Sequence, residues 1–294
     1  MRIAVVAHRK KTLGGGLIEL RETFARLGIT DLLWYEVDKS RKAPKKVKRA
    51  LDEGADRIFV WGGDGTVQRC LDVLAGTKVP MAVLPAGTGN LFATNLGIPQ
   101  DIDGAVEVGL QGELTTIDVG NANGERFGVM AGVGADALMI RDADRGLKDR
   151  LGRGAYLVTG VRNLSDAVAN VTVDVDGERF YKGPAGCVLV ENVGKALGGI
   201  KAFDDASPTD GRMDLAVVTA QTPLEWSRVL TRSAVGRTAT AKHVKAIAGR
   251  KIDIRLEEKR LYEIDGGDRS KVRKLKIRVE PRSLVVCVPA DEVA

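Results

Sequence analysis

Histidine, cysteine and aromatic residues are scarce in this chain of 294 residues. The two histidines, His8 and His243, exclude a metal site built from several histidines and leave few candidates for histidine-based catalysis. The three cysteines, Cys70, Cys187 and Cys287, form no CxxC pair and no disulfide framework, which indicates a reducing compartment. Aromatic residues make up 4% of the chain, which argues against a base-stacking RNA platform.

Long apolar runs are also lacking. No stretch approaches the roughly 18 residues of a transmembrane helix, and the N-terminal segment 1–7 is too short for a signal peptide. We therefore expect a soluble, cytoplasmic protein. Lys+Arg number 45 and Asp+Glu 39, which gives a formal net charge of +6. This balance fits an anionic ligand such as a nucleotide, a nucleic acid or an acidic membrane surface, without selecting among them.

The pattern of apolar residues changes near residue 113. Before it, short apolar runs alternate with amphipathic segments, which predicts an α/β domain with a parallel sheet whose ligand lies at the carboxyl ends of the strands. The predicted strands are Ile3–Ala7, Leu32–Val37, Arg57–Trp61 and Met81–Leu84. After it, alternating runs separated by Asp-Gly pairs predict a mostly antiparallel, β-rich domain. The predicted domains are residues 1–113, residues 114–280, and a C-terminal strand in 281–294 that returns to the first domain.

Glycine is abundant, with 35 residues, and two glycine clusters directly follow predicted strands. In the first, Gly62-Gly63-Asp64-Gly65-Thr66, the glycines let the backbone approach a phosphate at the start of a helix, and Asp64 can bind magnesium. The second, Pro85-Ala86-Gly87-Thr88-Gly89-Asn90, offers Thr88 and Asn90 to cap the next helix. Each cluster alone also fits a capped turn. Because they follow successive strands, we expect them side by side, and the pair favours phosphate binding.

Other signatures of nucleotide-binding proteins and hydrolases are missing. The chain has no GxxxxGK[ST], no GxGxxG, no GxSxG and no HExxH. Walker-type P-loop proteins, Rossmann dehydrogenases, serine hydrolases and zinc proteases therefore find no support in the sequence.

Together the two glycine clusters resemble the catalytic domain of the diacylglycerol kinase family, which includes bacterial lipid kinases and the sphingosine and ceramide kinases. Further matches are Ile117-Asp118-Val119-Gly120, Lys148, Gly152, Tyr156, Gly198-Gly199, Pro208-Thr209-Asp210-Gly211 and Tyr262-Glu263-Ile264-Asp265-Gly266. The resemblance covers nearly the whole chain. It implies an ATP- and Mg²⁺-dependent kinase that phosphorylates a lipid hydroxyl at the membrane surface, with diacylglycerol favoured and no nucleic-acid partner.

The resemblance also implies roles for individual residues. Asp265 would be the general base that takes the proton from the acceptor hydroxyl. The phosphates of ATP would lie against Gly62, Gly63, Asp64, Gly65, Thr66, Gly87, Thr88 and Asn90. Asp210 resembles the aspartate of the family's structural magnesium site, with Asp64 as a second metal candidate. Asp176-Gly177-Glu178 spells the family's Asp-Gly-Glu triplet more closely, but it lies between two alternating runs, so we predict an ordinary hairpin turn there.

Two departures from the family pattern keep alternatives open. Gly267 replaces the glutamate of Asp-Gly-Glu, and Ala7-His8-Arg9-Lys10 replaces the Asn-Pro that usually follows the first strand. A non-catalytic protein that binds nucleotide or lipid is therefore one alternative. NAD kinase, which shares the GGDGT-type loop, is another. The basic stretch 41–49 is a candidate for peripheral membrane contact, and the sequence leaves a homo-oligomer open.

Overall fold

The computed structural model describes residues 1–134, 169–193, 195–196, 200–201, 206–234 and 242–290. The family-matching residues Lys148, Gly152, Tyr156 and Gly198-Gly199 lie outside these ranges. The chain forms two compact units: Met1–Val119 with Arg282–Ala294, and Gly120–Pro281. Within the described residues, no helix is long and apolar enough to cross a membrane.

Helices and strands alternate in the first part of the chain, and strands dominate afterwards. The first part contains β1 Ile3–His8, α1 Gly16–Arg26, β2 Leu32–Val37, a 3-10 turn Ser40–Lys42, α2 Ala43–Asp52, β3 Arg57–Gly62, α3 Asp64–Leu74, β4 Met81–Pro85, α4 Leu91–Asn95 and α5 Ile102–Gln111. The next strands are β5 Glu113–Ala122, β6 Glu125–Phe127, β7 Met130–Gly134, β8 Ala169–Val175, β9 Glu178–Ala185, β10 Cys187–Glu191, β11 Lys195–Ala196 and β12 Ile200–Lys201. The remaining elements are β13 Met213–Val218, α6 Pro223–Ala234, β14 Val244–Gly249, β15 Lys251–Arg260, β16 Tyr262–Ile264, β17 Gly267–Asp268 and β18 Val272–Val288.

The first unit contains a parallel sheet in the strand order β2-β1-β3-β4. Strands β1, β3 and β4 are almost completely buried, because helices cover parallel strands on both faces. Phe24 of α1 packs edge-on against Phe59 of β3, with ring centroids 5.1 Å apart. The end of β18 adds a further parallel neighbour, since Val286 lies opposite Met81 of β4. The predicted α/β class is confirmed, and the four predicted strands end within one residue of the observed bounds.

Helix α5 was not predicted from the sequence, and its glycines explain why. Gly104 and Gly109 lower the helix propensity of this segment by about 1 kcal/mol each relative to alanine. The helix forms nevertheless, because the side chain of Asp101 accepts the N–H of Gly104 at 2.7 Å and so caps the first turn. Gly109 lets the helix pack directly on β3, since a Cβ atom there would lie 2.1 Å from the ring of Phe59.

The second unit contains two antiparallel sheets. Strands β9, β8, β15 and β18 follow one another in the first sheet, and the second has the order β14-β13-β10-β7-β16-β17. Buried side chains of both sheets form one hydrophobic cluster, which includes Val173 and Ile254 from the first and Val190 and Leu215 from the second. The unit is therefore a β sandwich whose strands alternate inward apolar and outward polar residues. This confirms the predicted antiparallel, β-rich class.

Asp176 and Gly177 form the two-residue turn between β8 and β9, as predicted. Their φ angles are 52° and 96°, which are those of the type I′ turn favoured in hairpins. The exposed carboxylate of Asp176 accepts the N–H groups of Arg250 and Lys251 at 3.0 and 2.8 Å. Its side chain therefore ties the turn to the start of β15.

The two units divide inside β5, between Val119 and Gly120, whereas the composition change is near residue 113. The first half of β5 lies in the first unit, where the buried carboxylate of Asp118 accepts the N–H of Arg282 at 2.7 Å. A composition change marks the start of this strand but carries no information on which unit each half joins.

Candidate functional site

The two glycine loops touch through their backbones. They follow β3 and β4, which are adjacent parallel strands with Gly62 opposite Pro85, so both loops lie at the same edge of the sheet. A Cβ atom on Gly87 would lie 2.4 Å from the Cα atom of Gly63, and one on Gly63 would lie 3.0 Å from the Cα atom of Gly87. Neither position has room for a side chain, so the contact itself requires glycine.

Asp64 connects the first loop to the second. It is the first residue of α3, and its Oδ1 accepts the N–H of Phe92, in the first turn of α4, at 3.3 Å. Burial raises the pKa of the Asp64 carboxyl, and hydrogen bonds from the backbone of Phe92, Leu91 and Asn90 oppose that rise. The residue predicted to bind magnesium therefore also anchors α4.

The side chain of Asn90 stabilises the second loop by hydrogen bonds to the loop's own backbone. Its φ of 47° lies in the left-handed region, which asparagine tolerates better than most residues. Its Oδ1 accepts the N–H of Gly87 at 2.8 Å, and its Nδ2 donates to the carbonyls of Pro85 and Gly87 and to Oε1 of Gln100. The prediction that the Asn90 side chain caps α4 is wrong, because its amide is used within the loop and Asp64 binds the start of that helix instead.

Thr66 serves to shape the first loop. Its side chain is buried, and its hydroxyl lies 2.9 Å from the hydroxyl of Ser40, a residue that the sequence did not single out. A Cβ atom on Gly62 would lie 2.6 Å from the Cβ atom of Thr66, so this threonine fills the space that a glycine leaves. The Thr66 side chain therefore packs against the backbone of Gly62 and stabilises the conformation of the loop.

Gly65 in the first loop, and Thr88 and Gly89 in the second, are exposed to solvent. Helix α3 begins at Asp64, and the N–H groups of Thr66 and Val67 bond to the carbonyl of Gly63 at 2.8 and 3.1 Å. The N–H groups of Asp64 and Gly65 precede that first bonded turn, at the positive end of the helix dipole. This is the arrangement that binds phosphate at helix N-termini.

The loop after β1 adds cations beside the same strand edge, because β1 is the other neighbour of β3. Lys10 and Lys11 are exposed, and the carbonyl of Lys11 accepts the Nε1–H of Trp61 at 3.0 Å. His8 is buried, and its Nδ1 accepts the N–H of Lys10 at 3.3 Å. Burial lowers the pKa of His8, so a neutral imidazole shapes this loop at pH 7. The two lysines remain candidates for phosphate contact.

Asp265 occupies the turn between β16 and β17, in the second unit. Its φ of 44° and that of Gly266, 75°, again define a type I′ turn. Its buried carboxylate accepts three consecutive backbone N–H groups, from Gly128 to Oδ2 and from Val129 and Met130 to Oδ1, each at 2.9 Å. Three donors stabilise its negative charge and fix its position. The sequence contains no sign of this contact, because the donors are some 135 residues away.

Arg269 occupies the space beside Asp265 where the family pattern has a glutamate. A Cβ atom on Gly267 would lie 2.8 Å from Nη1 of Arg269, which donates to the carbonyl of Gly267 at 2.8 Å. The Nε of Arg269 donates to Oε2 of Glu125 at 2.6 Å. A glutamate at position 267 would have to displace this guanidinium. The chain therefore has a cation where its family pattern places a carboxylate.

The two predicted metal ligands lie in different units. Asp210 is in an exposed turn of the second unit, where its Oδ1 accepts the N–H of Arg212 at 2.8 Å, and Asp64 is in the first unit. Among the described residues, no three His, Cys, Asp or Glu side chains come together as a metal-binding group. Magnesium commonly uses one or two carboxylates and takes its other ligands from phosphate and water. Asp64 fits that coordination, at the loop predicted to hold phosphate.

Glu191 is a buried acid that the sequence analysis missed. It ends β10, is 1% exposed, and receives no hydrogen bond at either carboxylate oxygen from a described residue. Burial, and after it the negative charge of Asp214 opposite on β13, raise the pKa of Glu191 to about 8. The next residue, Asn192, donates from Nδ2 to the carbonyl of Gly128 at 3.0 Å. Glu191 therefore lies beside the segment 128–130 that holds Asp265. In the sequence, the one indication of this buried acid is that the polar pair Glu191-Asn192 ends the apolar run of β10.

Replacing Glu191 with glutamine is expected to flatten the dependence of stability on pH. The folded state holds the Glu191 proton up to about pH 8, whereas the unfolded state releases it near pH 4.5. The contribution of the protonated Glu191 to the free energy of unfolding is therefore complete below pH 4.5, and it is lost as the pH rises to about 8. The free energy of unfolding of the wild type should therefore fall by on the order of 4 kcal/mol as Glu191 ionises. That of Glu191→Gln should show no such fall.

Urea unfolding at pH 5 and pH 8 measures this difference. Glu178→Gln is the matched control, because Glu178 is an exposed glutamate at the start of β9. Equal losses of unfolding free energy in the wild type and Glu191→Gln would show that Glu191 is ionised in the folded protein at pH 5 already.

Two family profiles match the two parts of the chain. The diacylglycerol kinase catalytic domain matches residues 12–122, which include both glycine loops. The YegS C-terminal NAD kinase beta sandwich-like domain matches residues 128–288, which include Asp265. The fold, the paired loops and these two matches define a protein of the lipid kinase class. More closely, the chain belongs to the diacylglycerol kinase family.

Individual relatives agree with this assignment. A diacylglycerol kinase of Bacillus subtilis is 31% identical over 228 residues, which cover 76% of this chain and 75% of that protein. A protein of Synechocystis sp. described as uncharacterized is 27% identical over 285 residues, 93% of this chain and 64% of the longer relative. A crystal structure of a diacylglycerol kinase from Bacillus anthracis superimposes with a TM-score of 0.78 at 23% identity, covering 99% and 98% of the two chains. This last likeness shows the shared fold.

Proposed function

We propose that the protein transfers the γ-phosphate of ATP to the hydroxyl of diacylglycerol and so forms phosphatidic acid. The observation that carries this proposal is the backbone contact between Gly63 and Gly87. It creates a surface without side chains, next to the first N–H groups of α3, at the carboxyl edge of a parallel sheet. Membership in the diacylglycerol kinase family supports the choice of a lipid as acceptor.

The first unit would bind the nucleotide. The N–H groups of Asp64 and Gly65 would donate to its phosphates, Thr88 would add a hydroxyl, and Lys10 and Lys11 would add positive charge. Magnesium would be held by Asp64 together with phosphate oxygens and water, and it would neutralise charge on the phosphates. Asp210 as a second, structural magnesium ligand stays a prediction.

Asp265 would orient the acceptor. Its carboxylate would accept a hydrogen bond from the lipid hydroxyl and take the proton as the new oxygen–phosphorus bond forms. Phosphoryl transfer passes through a loose transition state, so it depends more on the position of the nucleophile than on a strong base. The N–H groups of Gly128, Val129 and Met130 supply that fixed position.

A choice of acceptors separates this proposal from its alternatives. With ATP and Mg²⁺ present, we expect diacylglycerol to be phosphorylated with a higher kcat/KM than sphingosine, ceramide or monoacylglycerol, and we expect no NADP from NAD. Formation of NADP would establish the NAD kinase alternative. Tight ATP binding without transfer to any of these acceptors would establish the non-catalytic alternative that Gly267 and the altered loop after β1 motivate.

A further inference from the structure

Four exposed lysines lie on one face of the second unit. Lys182 of β9, Lys251 of β15, and Lys274 and Lys276 of β18 are exposed, and none forms an ion pair with a described residue. Successive residues of a strand point to opposite faces. The neighbours Ile252, Leu275 and Ile277 belong to the sandwich core. These lysines therefore lie on the outer face of the sheet.

Three arginines complete this surface, which we call the basic sheet face: the four lysines together with Arg179, Arg255 and Arg278. Both Arg179 and Arg255 pair with Asp174, and Arg278 pairs with Asp253. The ion pairs engage the arginines, and the four lysines are the cations of this surface that pair with no described residue.

The strand registers place the cations in rows. Thr172 of β8 lies opposite both Lys182 of β9 and Arg255 of β15, and Arg255 lies opposite Lys274 of β18. Cross-strand neighbours are about 5 Å apart, so three cations and one hydroxyl follow one line across four strands. In the next row Lys276 lies opposite Asp253.

The charge of the face is large for this chain. Its seven cations face four carboxylates, those of Asp174, Asp176, Asp253 and Glu257, which leaves three positive charges out of the chain's formal +6. Asp174 and Asp253 are already engaged by arginines, and Glu257 accepts a hydrogen bond from Asn170 at 3.0 Å. Cations of this density attract an anionic partner.

A recess on the same face offers space for a single anionic group. It has a volume of about 360 Å³, and its walls include Thr172, Lys182, Arg255 and Glu257. Lys182 and Arg255 lie on the two sides of Thr172 in the row described above. A phosphate ester is an anion of a size that such a recess accepts, and Arg and Lys are its usual partners.

We propose that the basic sheet face docks on the anionic surface of a phospholipid bilayer, with one lipid phosphate in the recess. A sheet presents its cations over a broad surface, as a bilayer requires, and each lysine near an anionic bilayer strengthens binding about 5-fold. The rows described above contain cations, carboxylates and a threonine but no aromatic side chain on which a base could stack, which disfavours a single-stranded nucleic acid. The need for docking rests on the proposed lipid acceptor, whereas docking itself is measurable without ATP.

The basic stretch 41–49, which the sequence suggested for membrane contact and which spans the end of the 3-10 turn and most of α2, is less suited to it. Lys42 pairs with Asp38 at 2.7 Å, Arg49 pairs with Glu53 at 2.6 Å, and Lys46 lies over the ring of Tyr35. The cations without such contacts to described residues are Arg41, Lys45 and Lys48. These three residues give a matched set for comparison.

Sedimentation of the full chain with vesicles tests the docking. One triple variant carries Lys182→Glu, Lys274→Glu and Lys276→Glu, and the matched variant carries Arg41→Glu, Lys45→Glu and Lys48→Glu. On vesicles of phosphatidylcholine with 30% phosphatidylserine, roughly the charge density that makes such attraction measurable, the first variant should bind about 100-fold more weakly than wild type. The matched variant should bind like wild type, and pure phosphatidylcholine should bind none of the three proteins.

Three outcomes would overturn the proposal. The first is unchanged binding of the sheet-face variant, and the second is loss of binding in the α2 variant alone. The third is wild-type protein that binds a single-stranded oligonucleotide and not anionic vesicles. Thermal unfolding of both variants verifies that they fold, as expected for exposed lysines. Transfer to diacylglycerol in neutral detergent micelles should be unchanged by the sheet-face substitutions, so failure of docking and failure of the proposed kinase activity give different results.

Discussion

Asp265→Asn is expected to lower lipid phosphorylation by about 10²- to 10⁴-fold while ATP still binds. The asparagine amide cannot take the proton of the acceptor hydroxyl, although it has the same size and tolerates the same left-handed φ. The nucleotide loops belong to the first unit, so their own contacts are unaffected by this change. The measurements are kcat with diacylglycerol and the Kd of ATP by titration calorimetry.

The structure shows that this substitution also has a structural effect that must be measured separately. The carboxylate accepts three N–H groups, and the Nδ2 of asparagine would face the N–H of Gly128, which leaves a buried donor unpaired. Such a mismatch destabilises by about 1–3 kcal/mol. Asp176→Asn is the matched control, because Asp176 lies in the same type of Asp-Gly turn and also accepts backbone N–H groups.

The control should lose stability and keep its activity. Asp265→Asn should lose activity at temperatures where thermal unfolding shows it fully folded. A folded Asp265→Asn protein that phosphorylates diacylglycerol at the wild-type rate would remove Asp265 from the reaction and leave it as a residue that holds the segment 128–130.

Gly87→Ala is expected to weaken ATP binding at least 10-fold, an effect of about 1.4 kcal/mol or more. The new methyl group would lie 2.4 Å from the Cα atom of Gly63, so the two loops must move apart. Overpacking of this kind destabilises by about 1–3 kcal/mol. Fluorescence titration with a nucleotide analogue, corrected for the folded fraction, measures the affinity.

Two further glycine variants separate loop geometry from general destabilisation. Gly109→Ala overpacks α5 against Phe59, where the new atom would lie 2.1 Å from the ring, so it should lower the melting temperature and leave ATP affinity unchanged. Gly65→Ala adds a methyl group where nothing lies within 4 Å, so it should fold normally and weaken ATP binding by crowding the phosphates. Wild-type affinity in both Gly87→Ala and Gly65→Ala would place the nucleotide elsewhere.

The parallel strands and both glycine loops could be predicted from the sequence because their determinants are local. A strand covered on both faces has a continuous apolar run, and such runs located β1, β3 and β4 to within one residue. Glycine pairs directly after such runs marked the loops. The Asp-Gly turn at Asp176 was predictable for the same reason, since its alternating flanks and its turn residues are adjacent in the chain.

The features that escaped prediction depend on contacts between distant residues. The hydrogen bonds of Asn90, the contact of Thr66 with Ser40 and the burial of Glu191 are set by tertiary packing, and no local pattern encodes them. The sequence also suggested nucleotide contact for Asn90 and Thr66 side chains that the structure uses to shape the loops. Of the predicted phosphate-binding residues, Gly65 and Thr88 are the ones that face solvent.

Transfer of labelled phosphate from ATP to diacylglycerol by the purified protein tests the account most directly. ATP labelled at the γ position should give labelled phosphatidic acid in the presence of Mg²⁺, and ATP labelled at the α position should give none. Asp265→Asn should give no labelled lipid above background. Saturating ATP binding with no labelled product from diacylglycerol, in micelles and in anionic vesicles alike, would contradict the proposed function.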